Sequence, residues 1–523
     1  MRPFATRNAF SPGTEIGGIA RAAVRPASIT IMSQALAFLV QLAATVVLTR
    51  LLAPSDFGLV TMVTTFSLLL ASFGLNGFTE GILQRPEIDD SLASNLFWIN
   101  LGAGILLSLG FAAAGSLIAW FYGEPRVANV AVGMSLTIFF TSTSVLHLAL
   151  LKRAMKFSAV SVNDIAARVV SVGVSIGLAV AGLGYWALVA GAVALPLSQS
   201  IGAWTLCRWL PKFPRRAPGT MSMVRFAMNT YSHCVVNYFA RNMDNLLVGW
   251  RFNAQALGFY KKAYDLFVMP ANQLLSPVSA VVVTTLSRLN GDRAEYQRCF
   301  LRGLSILAFV GMGLSGVLTL IGKDFIRLLL GPGWDTAGRI FVFFGPGIGF
   351  MLIYGTHSWL HLSAGKADRW FRWGIVEFGV TAVLFLLALP WGPLGIAAAW
   401  TTSFWILMVP AFWYAGKPIG FGIAPLLSVL WRYALAAIAA GATAAAIISQ
   451  MQLLQALSGW TGAFMRVVVD SLLFVALYLL AVVLLHGGHE PVRQITRLAP
   501  DLVPWGKSPA AATLSSRRVT ELS

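Results

Sequence analysis

Residues 229–245 place Asn229, His233, Asn237, Arg241 and Asn245 at successive steps of four, with Asp244 beside the last. Four residues is close to one helical turn, so in a helix these side chains share one face. The following apolar stretch carries Lys261, Asp265, Asn272 and Ser276, with Lys262 next to the first of them. Such groups bind rather than break bonds. Amides trade hydrogen bonds with a polar solute, Arg and Lys attract an anion, and a buried Asp holds a proton or a small cation. No constellation for covalent chemistry accompanies them: there is no Gly-rich phosphate loop, nucleophile elbow or HExxH, so the sequence reads as that of a non-enzyme.

The elements that hold these residues are membrane helices. The chain has 523 residues, is 57% hydrophobic and carries only 11% charged residues, where soluble domains carry roughly 25%. Apolar runs recur from Ser28 to His486, long enough for about fourteen spans. Period-2 alternation, the mark of a membrane barrel, is absent. Cys207, Cys234 and Cys299 are scattered without metal or disulfide spacing, and His147, His233, His357 and His361 form no metal motif. The expected catalytic, metal and cofactor sets are therefore empty, save for H+ or Na+ coupling at Asp244 or Asp265.

The net charge of +18 first suggests nucleic acid, but most Lys and Arg fall in alternate connections on the side of the two tails. That asymmetry puts both termini in the cytoplasm and explains the excess by contact with acidic lipid heads, with no nucleic acid involved. Asp164 and Arg168, and Glu80, lie near cytoplasmic span ends and read as interfacial. Arg50 and Arg251 are expected to reach outward to head groups, and Asp89-Asp90 to start the third span as a cap.

An internal repeat organises the whole. RLLAPSDFGLV (50–60) and RFNAQALGFYKKA (251–263) occupy the same kind of break, and Asp56-Phe57-Gly58 aligns with Ala256-Leu257-Gly258 at an offset of 200. LQRPEIDD (83–90) then matches LSRLNGDR (286–293). Six spans per copy is an even number, so the copies run in the same direction. Ser33, Ala37, Gln41 and Thr45, and Thr61, Thr65, Ser72 and Asn76, are the first-copy counterparts of the polar stripes. The expected layout is a tail (1–27), an N-lobe (28–206), a basic Pro-rich cytoplasmic linker (207–223), a C-lobe (224–414), two further spans (415–486) and a C-terminal tail (487–523).

The segments RLLAPSDFGLV, GFTEGILQRPEID, ALLKRAMKF, GLGYWALVAG, RNMDNLLVG, LGFYKKAYDL and LSRLNGDRAEYQR, in that order, resemble the polysaccharide-flippase branch of the multidrug/oligosaccharidyl-lipid/polysaccharide exporter superfamily. The resemblance runs from about residue 28 to 486. It implies an all-α integral membrane fold, with two pseudo-symmetric six-helix lobes around a central cavity plus two C-terminal helices. It also implies alternating-access passage of a polyprenyl-diphosphate-linked oligosaccharide across a bacterial inner membrane, for exopolysaccharide, capsule or lipopolysaccharide assembly. Polysaccharide polymerase and co-polymerase proteins are the implied partners. The polar stripes, and not the resemblance, nominate the ligands: Arg241, Lys261 and Lys262 for the anion, with Asn229, Asn237, Asn272 and Gln41 lining the cavity for the sugar. Asp244 and Asp265 serve ion coupling or an ion pair. With Lys261, Lys262 and Arg241 set against the two acids, the cavity is expected to be positive. The alternative is a cation-coupled exporter of drugs or small solutes from the same superfamily.

Overall fold

The computed structural model describes residues 19–85, 88–215, 219–289, 291–489 and 493, and every regular element among them is helical. In chain order the helices are α1 (Ile19–Leu51), α2 (Pro54–Gln84), α3 (Asp90–Ala113), α4 (Gly115–Tyr122), α5 (Arg126–Arg153), α6 (Phe157–Val180) and α7 (Tyr185–Cys207). The second part holds α8 (Thr220–Arg251), α9 (Ala254–Arg288), α10 (Arg293–Leu330), α11 (Asp335–Phe344), α12 (Gly347–Gly355), α13 (His357–Ser363), α14 (Ala367–Ala388) and α15 (Gly392–Gly416). α16 (Ala424–Gln450), α17 (Gln452–Ala456) and α18 (Gly459–His486) complete it.

Ten stretches of the described residues are long and apolar enough to cross a membrane, or eleven if the bent pair Asp335–Phe344 and Gly347–Ser363 is one span. That is below the expected fourteen. α8 is not among them, because its polar stripe dilutes the apolar run, and α14 and α15 join through a 3-10 turn into one apolar stretch, Asp368–Ile419. Several side chains of α9 lie outside the described residues. The expected tails, 1–27 and 487–523, lie mostly outside them too.

The repeat turns start helices by local hydrogen bonding. At 50–58, Pro54 opens α2 and the Asp56 carboxylate accepts from the Ala53 amide (3.0 Å). At 251–258, the Asn253 side chain accepts from the Ala256 amide (2.8 Å). Both devices satisfy amides that a helix start leaves without partners. Asp89 caps α3 through the Leu92 amide, as expected, and Asp292 caps α10 through the Ala294 and Glu295 amides.

At this turn end the two copies meet. α2 packs along α9, with the first turns crossing at Gly58 and Gly258. Trp334, 1% exposed, lies edge-on between Phe57 (5.5 Å) and Phe259 (5.8 Å) and donates to the Thr49 carbonyl (2.9 Å). Arg50 does not simply extend towards head groups: its guanidinium donates to the Leu328 carbonyl (3.1 Å), capping the last turn of α10 across the seam. One continuous apolar core joins Leu52, Phe57, Leu257 and Trp334 here.

At the opposite, linker end the connection between copies is bolted down. Asp90 pairs with Lys212 (2.6 Å) and accepts from the Trp209 indole (2.8 Å), while Trp98 donates to the Lys212 carbonyl (2.8 Å). The first half of α8 packs on α2, with Tyr231 donating to the Leu69 carbonyl (3.0 Å). α16 and α18 pack on α10 and on each other.

Candidate functional site

α8 and α9 bring their charged residues together with groups of α14 and α15. Asp244 is fully buried, and its Oδ2 accepts from Tyr260 Oη (2.7 Å) and Trp400 Nε1 (3.0 Å). Its other oxygen, Oδ1, has no hydrogen-bond partner. Three elements thus fix one carboxylate: α8 carries it, α9 supplies Tyr260 and α15 supplies Trp400. Both donors are neutral, so the carboxylate is held in place without being neutralised by them.

Next to Tyr260 on α9, Lys261 pairs with Asp265 at 2.7 Å, the two side chains 27% and 44% exposed. The i, i+4 spacing makes this pair local, and its exposure leaves it open to exchange with an incoming charge. Tyr264 sits between the two acids, with its ring 5.9 Å from Trp400 and Lys261 Nζ 5.4 Å above it. Arg241 is exposed on α8 and lies within electrostatic reach of Tyr264 and of Glu377 on α14. Glu377 lies against Tyr354, whose hydroxyl accepts from Trp373 (2.8 Å).

Glu377 changes the charge balance. The sequence-based expectation set three basic residues, Arg241, Lys261 and Lys262, against two acids. With Glu377 the acids also number three, Asp244, Asp265 and Glu377, so the site is balanced rather than positive. Glu377 was legible as an acid in the interior of an apolar run (371–390), a rare and costly placement. Its omission came from following the repeated stripes alone. Tyr260, Tyr354 and Trp400 gave no such signal, since aromatic residues abound in membrane helices.

The remaining expected residues fall in different places. Lys262 turns its Nζ to the seam of the copies, 4.4 Å from the Phe57 ring centroid in a cation–π contact, and stays within electrostatic reach of Asp265 and Lys261. Gln41 is exposed on α1. The side chains of Asn229, Asn237 and Asn272, with those of Ser33, Asn76, Glu80, His233 and Ser276, lie outside the described residues. The first-copy stripe spends its hydroxyls on its own helices: Thr61 and Thr65 are buried and donate to the Phe57 and Thr61 carbonyls (2.7 and 2.9 Å), and Thr45 donates to Gln41 (3.0 Å). Such back-bonding satisfies each hydroxyl's donor within its own helix. Asp164 pairs with Arg168 (2.9 Å) and accepts from Gln199 (2.8 Å).

A bundle of apolar helices, with a group of acids and bases held among helices of its second repeat copy, is the architecture of a membrane transporter. The chain belongs to the polysaccharide biosynthesis protein family, whose pattern matches residues 47–338. It is 26% identical over 329 residues to the teichuronic acid biosynthesis protein TuaB of Bacillus subtilis, covering 60% of this chain and 67% of that one. It is 21% identical over 331 residues to the succinoglycan biosynthesis transport protein ExoT of Rhizobium meliloti, covering 63% and 67%. Among solved structures, the lipid II flippase MurJ in an inward closed conformation superposes with a TM-score of 0.70 at 14% identity, over 88% of this chain and 98% of that one. An inward-facing multidrug resistance transporter of the MATE family, in the MOP superfamily, gives 0.56 at 13% identity, over 73% and 94%.

Proposed function

We propose that this protein carries a polyprenyl-diphosphate-linked oligosaccharide from the inner to the outer leaflet of a bacterial inner membrane, supplying exopolysaccharide, capsule or lipopolysaccharide assembly. The observation that carries this reading is the exposed Arg241 and the partly exposed Lys261–Asp265 pair on two consecutive long helices of the bundle. Charged side chains kept partly open inside a membrane bundle are costly unless something polar uses them. The names of the relatives, a teichuronic acid protein and a succinoglycan transport protein, support the choice of a polysaccharide precursor over other polar cargo.

In this reading both termini are cytoplasmic, the turn end faces outward, and the sealed seam there makes the described state closed to the outside. A sugar head crossing bare hydrocarbon would lose each hydrogen bond at several kcal/mol, about 2–7 for every unpaired polar group. A polar path between two lobes, residues 28–206 and 224–414, removes most of that barrier while the prenyl tail stays in lipid. Arg241 takes one diphosphate or acidic-sugar oxygen pair with its planar fork. Lys261 exchanges Asp265 for the same anion, and Gln41, Asn229, Asn237 and Asn272 serve the sugar. Asp244, with one oxygen unpartnered, is the candidate for H+ or Na+ coupling. No bond is made or broken, so the protein acts as a transporter, handing its cargo to polymerase and co-polymerase proteins.

Asp244 also favours a second reading, a cation-coupled exporter of drugs or small solutes. One experiment separates them. In a strain lacking the protein, the flippase reading expects lipid-linked repeat units to accumulate and polymer to vanish, both reversed by the cloned gene. Unchanged polymer with raised sensitivity to toxic cations would establish the exporter instead.

A further inference from the structure

Away from the central group, α10 and α18 share a second set of charges. Arg466 on α18 forms a two-pronged ion pair with Asp324 on α10, Nη2 to Oδ1 at 2.6 Å and Nε to Oδ2 at 2.9 Å. Its remaining terminal nitrogen, Nη1, donates to the Leu457 carbonyl (2.7 Å) just before α18. One turn on, Asp470 is 6% exposed, and its Oδ1 has no hydrogen-bond partner. Two carboxylates therefore share one guanidinium, which is committed to the more exposed of them. Burying a bare carboxylate beside a second one, in hydrocarbon, is strongly unfavourable unless something positive joins it.

We propose that Asp470 is a proton-binding site, separate from the central group, whose occupancy decides which acid holds Arg466. With the proton on Asp470, Arg466 reaches across to Asp324 and clasps α18 to α10, the arrangement described. When the proton leaves to water, Asp470 becomes the buried anion one turn from Arg466, and the guanidinium swings to it along its own helix, releasing Asp324. Proton uptake and release thereby fasten and loosen the last two long helices against α10.

A metal cation fits less well. Asp470 offers one free oxygen, and the Leu457 carbonyl is already taken by Arg466, whereas an alkali or alkaline-earth ion needs several oxygens around it. Of the charges around it, Asp324 and Arg466 are the ones that act on Asp470. α10 also carries Lys323 and Arg327, both exposed, on either side of Asp324; on α16 the one charged residue, Arg432, stands beside Tyr433, whose ring meets His486 at the far end of α18 (4.8 Å); α17 carries none. The clasp sits on a close-packed joint. A methyl on Gly316 would overlap the Phe474 ring, and Tyr478 donates to the Phe309 carbonyl (2.8 Å), so a shift of the ion pair is transmitted along the helix.

The test uses the full-length protein in lipid nanodiscs, with infrared difference spectra recorded across a pH titration. A carboxylic acid absorbs where an ionised carboxylate does not. The wild type should show a titrating carboxylic-acid band that Asp470→Asn removes and Asp470→Glu retains. Asp324→Asn, which frees Arg466 for Asp470, should move the band's midpoint to lower pH. A spectrum unchanged by Asp470→Asn overturns the proposal, as does a band that responds to added sodium chloride at fixed pH rather than to pH. The readout needs no transport substrate, so a failure of the flippase reading leaves it standing, and the reverse also holds.

Discussion

Gly58 and Gly258, the equivalent glycines of the two repeat copies, face one another across the seam of α2 and α9. A methyl group on Gly58 would fall on the Ala254 carbonyl, and one on Gly258 would fall on the Pro54 carbonyl. Each missing side chain thus makes room for the other copy's backbone, under pseudo-two-fold symmetry. This is why one chain twice places a glycine in the first turn after an Arg-started break.

Gly58→Ala should therefore hold the seam apart, because backbone carbonyls cannot rotate away as a side chain can. Thr49→Cys serves as a reporter, since residue 49 is 3% exposed beside Trp334. Its labelling from outside should rise by about tenfold or more in the Gly58→Ala background, the change that roughly 1.4 kcal/mol produces. Export should fall while the protein still inserts. Equal labelling in the two backgrounds would show that the crossing is not the outer seal.

Orientation is open to the same chemistry. A cysteine at residue 215, on the linker end, should label only from the cytoplasm, and one at residue 256, on the turn end, only from outside. Labelling of 215 from outside would invert the topology and the direction of transport with it.

Asp244→Asn keeps an oxygen for Tyr260 and Trp400 but puts an amide where Oδ1 has no partner. The expected stability loss is about 1–3 kcal/mol, the cost of one buried unsatisfied polar group. If Asp244 couples the cation, this variant should export at a rate that no longer responds to a proton or sodium gradient. Tyr260→Phe, which removes one hydrogen bond to the carboxylate at roughly 1.5–3 kcal/mol, should preserve the response. A wild-type response in Asp244→Asn would make Asp244 a structural group.

Arg241→Ala removes a charge-assisted hydrogen bond worth about 1.5–3 kcal/mol, or about tenfold or more in substrate affinity. Lipid-linked repeat units should build up, and Arg241→Lys should restore part of the export because charge survives without the planar fork. Normal export by Arg241→Ala, or its repair by Glu377→Gln, would reduce Arg241 to a partner in charge balance.

How much of this was legible in the sequence varies by element. Long apolar runs and the offset of 200 gave the helices and the pairing of Gly58 with Gly258, because burial in lipid and backbone crowding both act on residue type. The stripe on α8 remains a reading of residue types, since the side chains of Asn229, His233 and Asn237 lie outside the described residues. The back-bonding of Thr61 and Thr65 was not legible, since a hydroxyl looks the same in sequence whatever it donates to. The contact of Lys262 with Phe57, some two hundred residues away, could not be read from local spacing. The aromatic donors to Asp244 come from two other helices, and only the folded packing brings them to it.

The most direct measurement places the purified protein in liposomes with a fluorescent polyprenyl-diphosphate oligosaccharide in one leaflet. An impermeant quencher then reports the share of label in the other leaflet. The wild type should equalise the label between leaflets far faster than empty liposomes, with Arg241→Ala slowed by about tenfold. Label that stays in its original leaflet with the folded wild-type protein present would contradict a flippase.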